Sequence, residues 1–150
     1  MRYSAHDTSR NVGIQEWVEL FQSTAKTHRD VLFLLLGEGE LRAHLESVGV
    51  AENCRFAGLE RMGAMADFAL IHAADGFLGG PSGPAIVALL SCVPYLFYRY
   101  KLINERSYLV PPAPFPWATE AQCVHWLDHD DDGLIAVFDR WLGALEEKQR

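Results

Sequence analysis

The stretch DGFLGGPSGPAIVALLSCVPYLFY, Asp75 to Tyr98, decides the fold. Asp75 to Leu78 is a short segment of strand length that ends on the apolar pair Phe77-Leu78. Glycines and prolines from Gly79 to Pro84 break it, and an unbroken apolar run follows from Ala85 to Leu90. Pro94 to Tyr98 is a second strand-like run. Strand, glycine-rich turn, helix and strand in that order form a βαβ unit, whose two strands run parallel in one sheet. A helix that is apolar nearly all round is expected to be buried on several sides.

The same alternation extends upstream. Val31 to Leu36 has no polar alternation and reads as a strand buried on both faces. Gly37-Glu38-Gly39 ends it, and Leu41, Leu45 and Val48 stripe a helix that Gly49 stops. Cys54 to Ala57 is a further strand. The helix after it carries Met62, Met65, Ala66, Ala69 and Ala73 on one face. At the start of the chain, Met1 to Ala5 reads as a strand, and Asn11 caps a helix striped by Ile14, Trp17, Val18, Phe21 and Ala25.

Downstream, the prolines at 111, 112, 114 and 116 exclude helix, so Arg99 to Trp117 is expected to be a long surface loop. Gln122 to Trp126 adds a short edge strand. Asp130 to Asp132 begin a last helix striped by Leu134, Val137, Phe138, Trp141 and Leu145. The expectation is one α/β, Rossmann-like domain over residues 1–150. Its open parallel sheet has five to six strands with helices on both faces.

Bulk properties agree with a single domain. A chain of 150 residues, 49% of them hydrophobic, supports one core. The net charge of −7 repels phosphate backbones and argues against general nucleic-acid binding. Cys54, Cys92 and Cys123 form no CxxC pair, so neither a disulfide framework nor a zinc site is indicated. The longest aliphatic run, Val31 to Leu36, is far below the roughly 20 residues that span a bilayer. No signal-peptide pattern opens the chain, and a cytoplasmic location is expected.

In open α/β sheets, ligands bind at the carboxyl ends of strands where the strand order reverses. With the order 3-2-1-4-5 common to such folds, the loop from His6 to Asn11 would face the turn from Gly79 to Pro84. Glycines at 79, 80 and 83 let backbone amides converge on phosphate without an intervening Cβ. Ser82 or Gly83 can cap the following helix, and Pro84 suits its first turn. His6 and Arg10 would supply cationic side chains. A tight strand-to-helix turn that binds nothing is the competing reading. Phe97 to Lys101, which includes Arg99, reaches the same end and either holds a base or phosphate or packs the long loop.

Other motifs fit less well. Gly37-Glu38-Gly39 has Arg42 where a dinucleotide fingerprint needs its third glycine, and Glu38 repels a pyrophosphate. There is no GxxxxGK[ST] segment. Gly80-Pro81-Ser82-Gly83-Pro84 departs from a nucleophile elbow at its last position. His125, Asp128, His129 and Asp130 to Asp132 could suggest a metal. They read instead as a solvated turn whose aspartates favour a helix N-terminus, with no metal and no resident cofactor.

The runs AADGFLGGPSGPAIVALLSCVPYLFY, from Ala73, and FLLLGEGELRAHLESVGVAENCRFAG, from Phe33, resemble the C-terminal domain of GT-B glycosyltransferases. The first is most similar to the branch containing the heptosyltransferases. The resemblance covers Val31 to Tyr98. It implies a Rossmann-like domain that binds a nucleoside diphosphate sugar, with Gly80, Ser82 and Gly83 at the diphosphate, Arg10 in the first βα loop and Glu38 near the nucleoside. Pro81 and Ile86 stand where the heptosyltransferases carry an acid and a histidine, and the paired glutamates of retaining members are absent. GT-B enzymes join two such domains. Catalysis would then need an N-terminal half or a partner protein, and the resemblance assigns no catalytic residue here. The alternative expectation is a non-catalytic protein-interaction domain that keeps the fold without the ligand.

Overall fold

In the computed structural model, which describes residues 13–36, 39–58, 62–80, 83–100, 114–126 and 131–149, helices alternate with short parallel strands. In chain order the elements are α1 (Ile14–Thr27), β1 (Phe33–Leu35), α2 (Gly39–Val48), β2 (Cys54–Phe56), α3 (Ala64–Ala73), β3 (Phe77–Gly79), α4 (Gly83–Leu89), β4 (Tyr95–Tyr100), β5 (Gln122–Trp126) and α5 (Leu134–Gln149). The expected strand Met1 to Ala5 lies outside the described residues.

The strands form two open parallel sheets rather than the single sheet expected. One pairs β1 with β2, and the other has the order β3-β4-β5. These are the neighbour pairs that the expected order requires on either side of its first strand. The two sheets share a core. Leu35 and Cys54 from the first pack with Leu96 and Tyr98 of β4 under Trp17, Phe21, Phe138 and Trp141.

Burial along β4 shows both faces covered. Leu96 and Tyr98 point into the cluster beneath α1 and α5, while Tyr95 and Phe97 point into a second cluster with Ile71, Ala85, Ala88 and Phe115. Residues two apart share a face of a strand, so this alternation places α1 and α5 on one side and α3 and α4 on the other. The second cluster is an aromatic ladder in which Tyr95 stacks on Phe97 at 4.4 Å, and Phe97 meets Phe77 edge-on at 6.0 Å.

Three expectations of burial are corrected. Leu34, read as part of a strand buried on both faces, is exposed, because only the Phe33 and Leu35 side of β1 meets the shared core. The stripe Met65, Ala69 and Ala73 is the outward face of α3, and Ile71 is the residue it buries. The alanines and methionines of the stripe offer little to fix its rotation, and Ile71 is the side chain of α3 that enters the second cluster. Helix α4 buries Ala85 and Ala88 on one side only and leaves Ile86 and Leu90 exposed.

The segment after β4 also differs. The strand continues to Tyr100 instead of stopping at Tyr98. Phe115 is buried, and Trp117 donates its indole N–H to the Leu89 carbonyl at 3.1 Å. Among the described residues, no helix is long and apolar enough to cross a membrane.

Candidate functional site

Pairing of β3 with β4 in the register Gly79 to Phe97 brings the Gly79–Gly83 turn and Arg99 to the same carboxyl edge. Gly79 is buried, and a Cβ built there would stand 3.1 Å from Phe77 Cε1 and Cζ. Packing alone therefore explains that glycine. Gly80 is half-buried, and Gly83 is exposed at the first position of α4. His6, Arg10, Glu38 and Ser82 lie outside the described residues, as do Asp128, His129 and Asp130.

Arg99 is the distinctive residue of this edge. It has φ 55°, the only non-glycine in the left-handed region among the described residues, and it sits where the β4–β5 register breaks between Phe97 and Tyr100. That conformation costs a branched or long side chain about 1–2 kcal/mol, and bulges of this kind redirect a side chain at strand ends. Here the guanidinium turns to α1 and its Nη1 donates to Glu16 Oε1 at 3.2 Å. Both partners are about one-third exposed, so the pair is screened and the cation remains within reach of solvent.

Tyr98 links the same carboxylate to the start of α5. Its hydroxyl oxygen lies 3.4 Å from Glu16 Oε2 and 3.4 Å from the Asp132 carbonyl oxygen, so its single O–H donates to one or the other. The Leu134 backbone N–H donates to it in turn. Burial, and then the charge of Glu16, push the Tyr98 phenol above its usual range, with Arg99 opposing. Asp132 carries an ion pair of its own, to Arg140 Nη2 at 2.7 Å.

His125 stands behind Tyr98, its ring centroid 4.5 Å away. It is 6% exposed, which corrects its assignment to a solvated turn, and neither ring nitrogen has a hydrogen-bond partner among the described residues. Each buried polar atom left without a partner costs about 1–3 kcal/mol, which the tilted ring contact with the tyrosine offsets in part. Asp131 and Asp132 are exposed ahead of α5, as the helix-start reading requires. No group of three or more metal-ligating side chains occurs among the described residues.

Arg99, paired with Glu16, is the cationic side chain described at this edge. Cys54 and Cys123 are disfavoured as nucleophiles, since burial pushes the Cys54 thiol up to about 12 and raises that of Cys123 as well. Of the residues singled out from sequence, Gly79, Gly80, Gly83 and Arg99 share the edge. Glu16 escaped functional notice because no local motif marks it, and Asp132 was read only as part of a solvated turn before the last helix. The one available signal was an acid in the first turn of α1 and another just ahead of α5, which is also what an ordinary helix start carries. No family model, no curated protein and no solved structure matches this chain.

Proposed function

We propose that this chain is the nucleotide-sugar-binding half of a GT-B-type glycosyltransferase of heptosyltransferase-like character, incomplete for catalysis alone. The observation that carries the reading is Arg99, a cation in a strained backbone conformation at the carboxyl edge, on the strand next to the Gly79–Gly83 turn. A nucleoside diphosphate would lie across this edge, with backbone amides of the turn and the Arg99 guanidinium on its phosphates. His6, Arg10, Glu38 and Ser82 belong to the same proposed site by the resemblance. The acceptor site and any catalytic base would come from an N-terminal half or a partner protein.

The fold reading that accompanies this is a Rossmann-like sheet in which the expected first strand, Met1 to Ala5, would join the two described sheets between β1 and β3. Its support is that the two sheets are parallel, share one core and hold the neighbour pairs on either side of that position. The topological switch point, and the ligand, would then lie between the first strand and β3.

A thermal-shift series of the full chain with nucleoside mono- and diphosphates and their sugar conjugates tests the function. Ligand at a hundredfold excess over its dissociation constant stabilises the folded state by about 2.7 kcal/mol. For a domain of this size that raises Tm by about 5–10 °C. One diphosphate family should give the shift, and Gly83→Asp and Arg99→Gly should each remove it. No shift at millimolar ligand overturns the reading. The second reading, a non-catalytic interaction domain, is favoured by the apolar side chains that α3 and α4 leave exposed.

A further inference from the structure

The outer surface of α3 and α4 has a composition unlike the rest of the molecule. Helix α3 is AMADFALIHA and α4 is GPAIVAL, and the two pack side by side. Their titratable side chains are Asp67, which is half-buried, and His72. The inward residues Ile71, Ala85 and Ala88 join the aromatic cluster beneath them. Outward, α3 exposes Met65, Ala69 and Ala73, and α4 exposes Ile86, followed by Leu90. Met62 precedes α3, and Trp117 is tied to the last turn of α4 by its bond to the Leu89 carbonyl. Met62, Met65, Ile86, Leu90 and Trp117 are each more than half exposed.

By contrast, the opposite side of the sheet carries ordinary charged surface. Glu19 and Lys26 of α1 and Asp139, Arg140, Glu146 and Glu147 of α5 are all exposed. Among the described residues, α3 and α4 therefore carry little charge, in a chain whose net charge is −7. Depletion of charge with enrichment in methionine and tryptophan is the composition of an interface centre. The five large side chains present about 600 Å² of apolar surface, the upper limit for the largest patch on a monomer and close to the roughly 800 Å² per partner of a standard interface.

We propose that the α3–α4 flank is the interface of a two-fold homodimer. An isologous contact sets the same patch against itself, so it needs apolarity on both sides and no complementary charge. Two acidic copies repel through most of their surfaces, and this flank is where that repulsion is least. An anionic membrane is a poor occupant, because the patch has no lysine or arginine among these residues to attract it. The proposal is independent of the nucleotide reading.

Sedimentation equilibrium of the full chain over a wide concentration range is the test. The expected mass is twice 16.8 kDa. Met65→Glu and Leu90→Glu should each weaken the dimer by at least about a hundredfold, since one unpaired buried charge on each side opposes association. Their far- and near-UV circular dichroism should be unchanged, because both positions are exposed in the single chain. Gln22→Glu, which adds the same charge on exposed α1, should leave the dimer intact. A wild-type chain that stays monomeric at the highest concentration overturns the proposal. So does a dimer that survives both flank substitutions.

Discussion

Replacing Arg99 separates backbone strain from binding. With φ 55°, Arg99→Gly relieves about 1–2 kcal/mol of left-handed strain. It forfeits a one-third-exposed ion pair to Glu16, about 0.2–1 kcal/mol after screening, and about 0.5–1 kcal/mol through the freer unfolded chain. The net change is within about 1 kcal/mol of zero. Arg99→Val loses the same pair and places a β-branched residue where it is least tolerated, for a total near 2 kcal/mol. Urea unfolding followed by circular dichroism should rank the glycine variant about 2 kcal/mol above the valine variant, with unchanged m-values. In thermal melts the gap is about 4–8 °C. If a nucleoside diphosphate binds at this edge, both variants lose it equally, so Arg99→Gly is a stable chain without affinity. Equal destabilisation by glycine and valine would refute the strain argument and leave loss of the ion pair as the main cause.

Gly76→Ala should destabilise by about 1–3 kcal/mol, since its Cβ would stand 2.8 Å from Trp141 Cη2, while the Trp141 N–H to Ala121 carbonyl bond at 3.0 Å holds the ring in place. Trp141→Phe should partly suppress it in a double-mutant cycle, and strict additivity would show that the ring yields freely. Burial raises the Cys54 thiol from 9.0 to about 12, so the folded state favours the protonated form; stability is complete below pH 9 and falls as pH rises toward 12. Tyr95, raised from 10.0 to about 12, adds to the loss, and Cys54→Ala should reduce its size in pH-dependent melts while Cys123, also raised from 9.0 by burial, keeps its onset near 9. Glu16→Gln should strengthen diphosphate binding by up to about fivefold in titration calorimetry, because it frees Arg99 from a pair worth at most about 1 kcal/mol. Weaker binding would mean that Glu16 positions the guanidinium instead.

The alternation of elements was legible because strand and helix each leave a local apolar period, and every described element overlaps the segment read for it. What one face of an element meets was less legible. Nothing within Ala64 to Ala73 distinguishes its inward side, and the choice is made by Phe77, Tyr95 and Phe97, which approach from other strands. Leu34 misled for a related reason: an apolar run states that both faces tolerate burial, while coverage depends on which helices cross that sheet. At the candidate site, Arg99 was visible from its place just after a strand. Its partner Glu16 is 83 positions away, and no local spacing rule connects residues at that separation.

The polar edge and the apolar flank are consequences of one arrangement. Parallel strands send every helix back across the sheet, so helix starts gather at the carboxyl edge, and with them the acids that favour helix starts. Glu16 and Asp132 are there for that reason, and they draw Tyr98 and Arg99 into a cluster joining α1, β4 and the approach to α5. An anionic ligand at this edge would meet fixed carboxylates, so it needs a cation whose existing partner can be given up at little cost, and the one-third-exposed Arg99–Glu16 pair is one. Among the described residues, α3 and α4 expose no such acid in their stripes and no lysine or arginine to bind a small anion. Ligand binding and self-association therefore depend on different residues, and Arg99→Gly should leave the dimer as intact as Leu90→Glu leaves the nucleotide affinity.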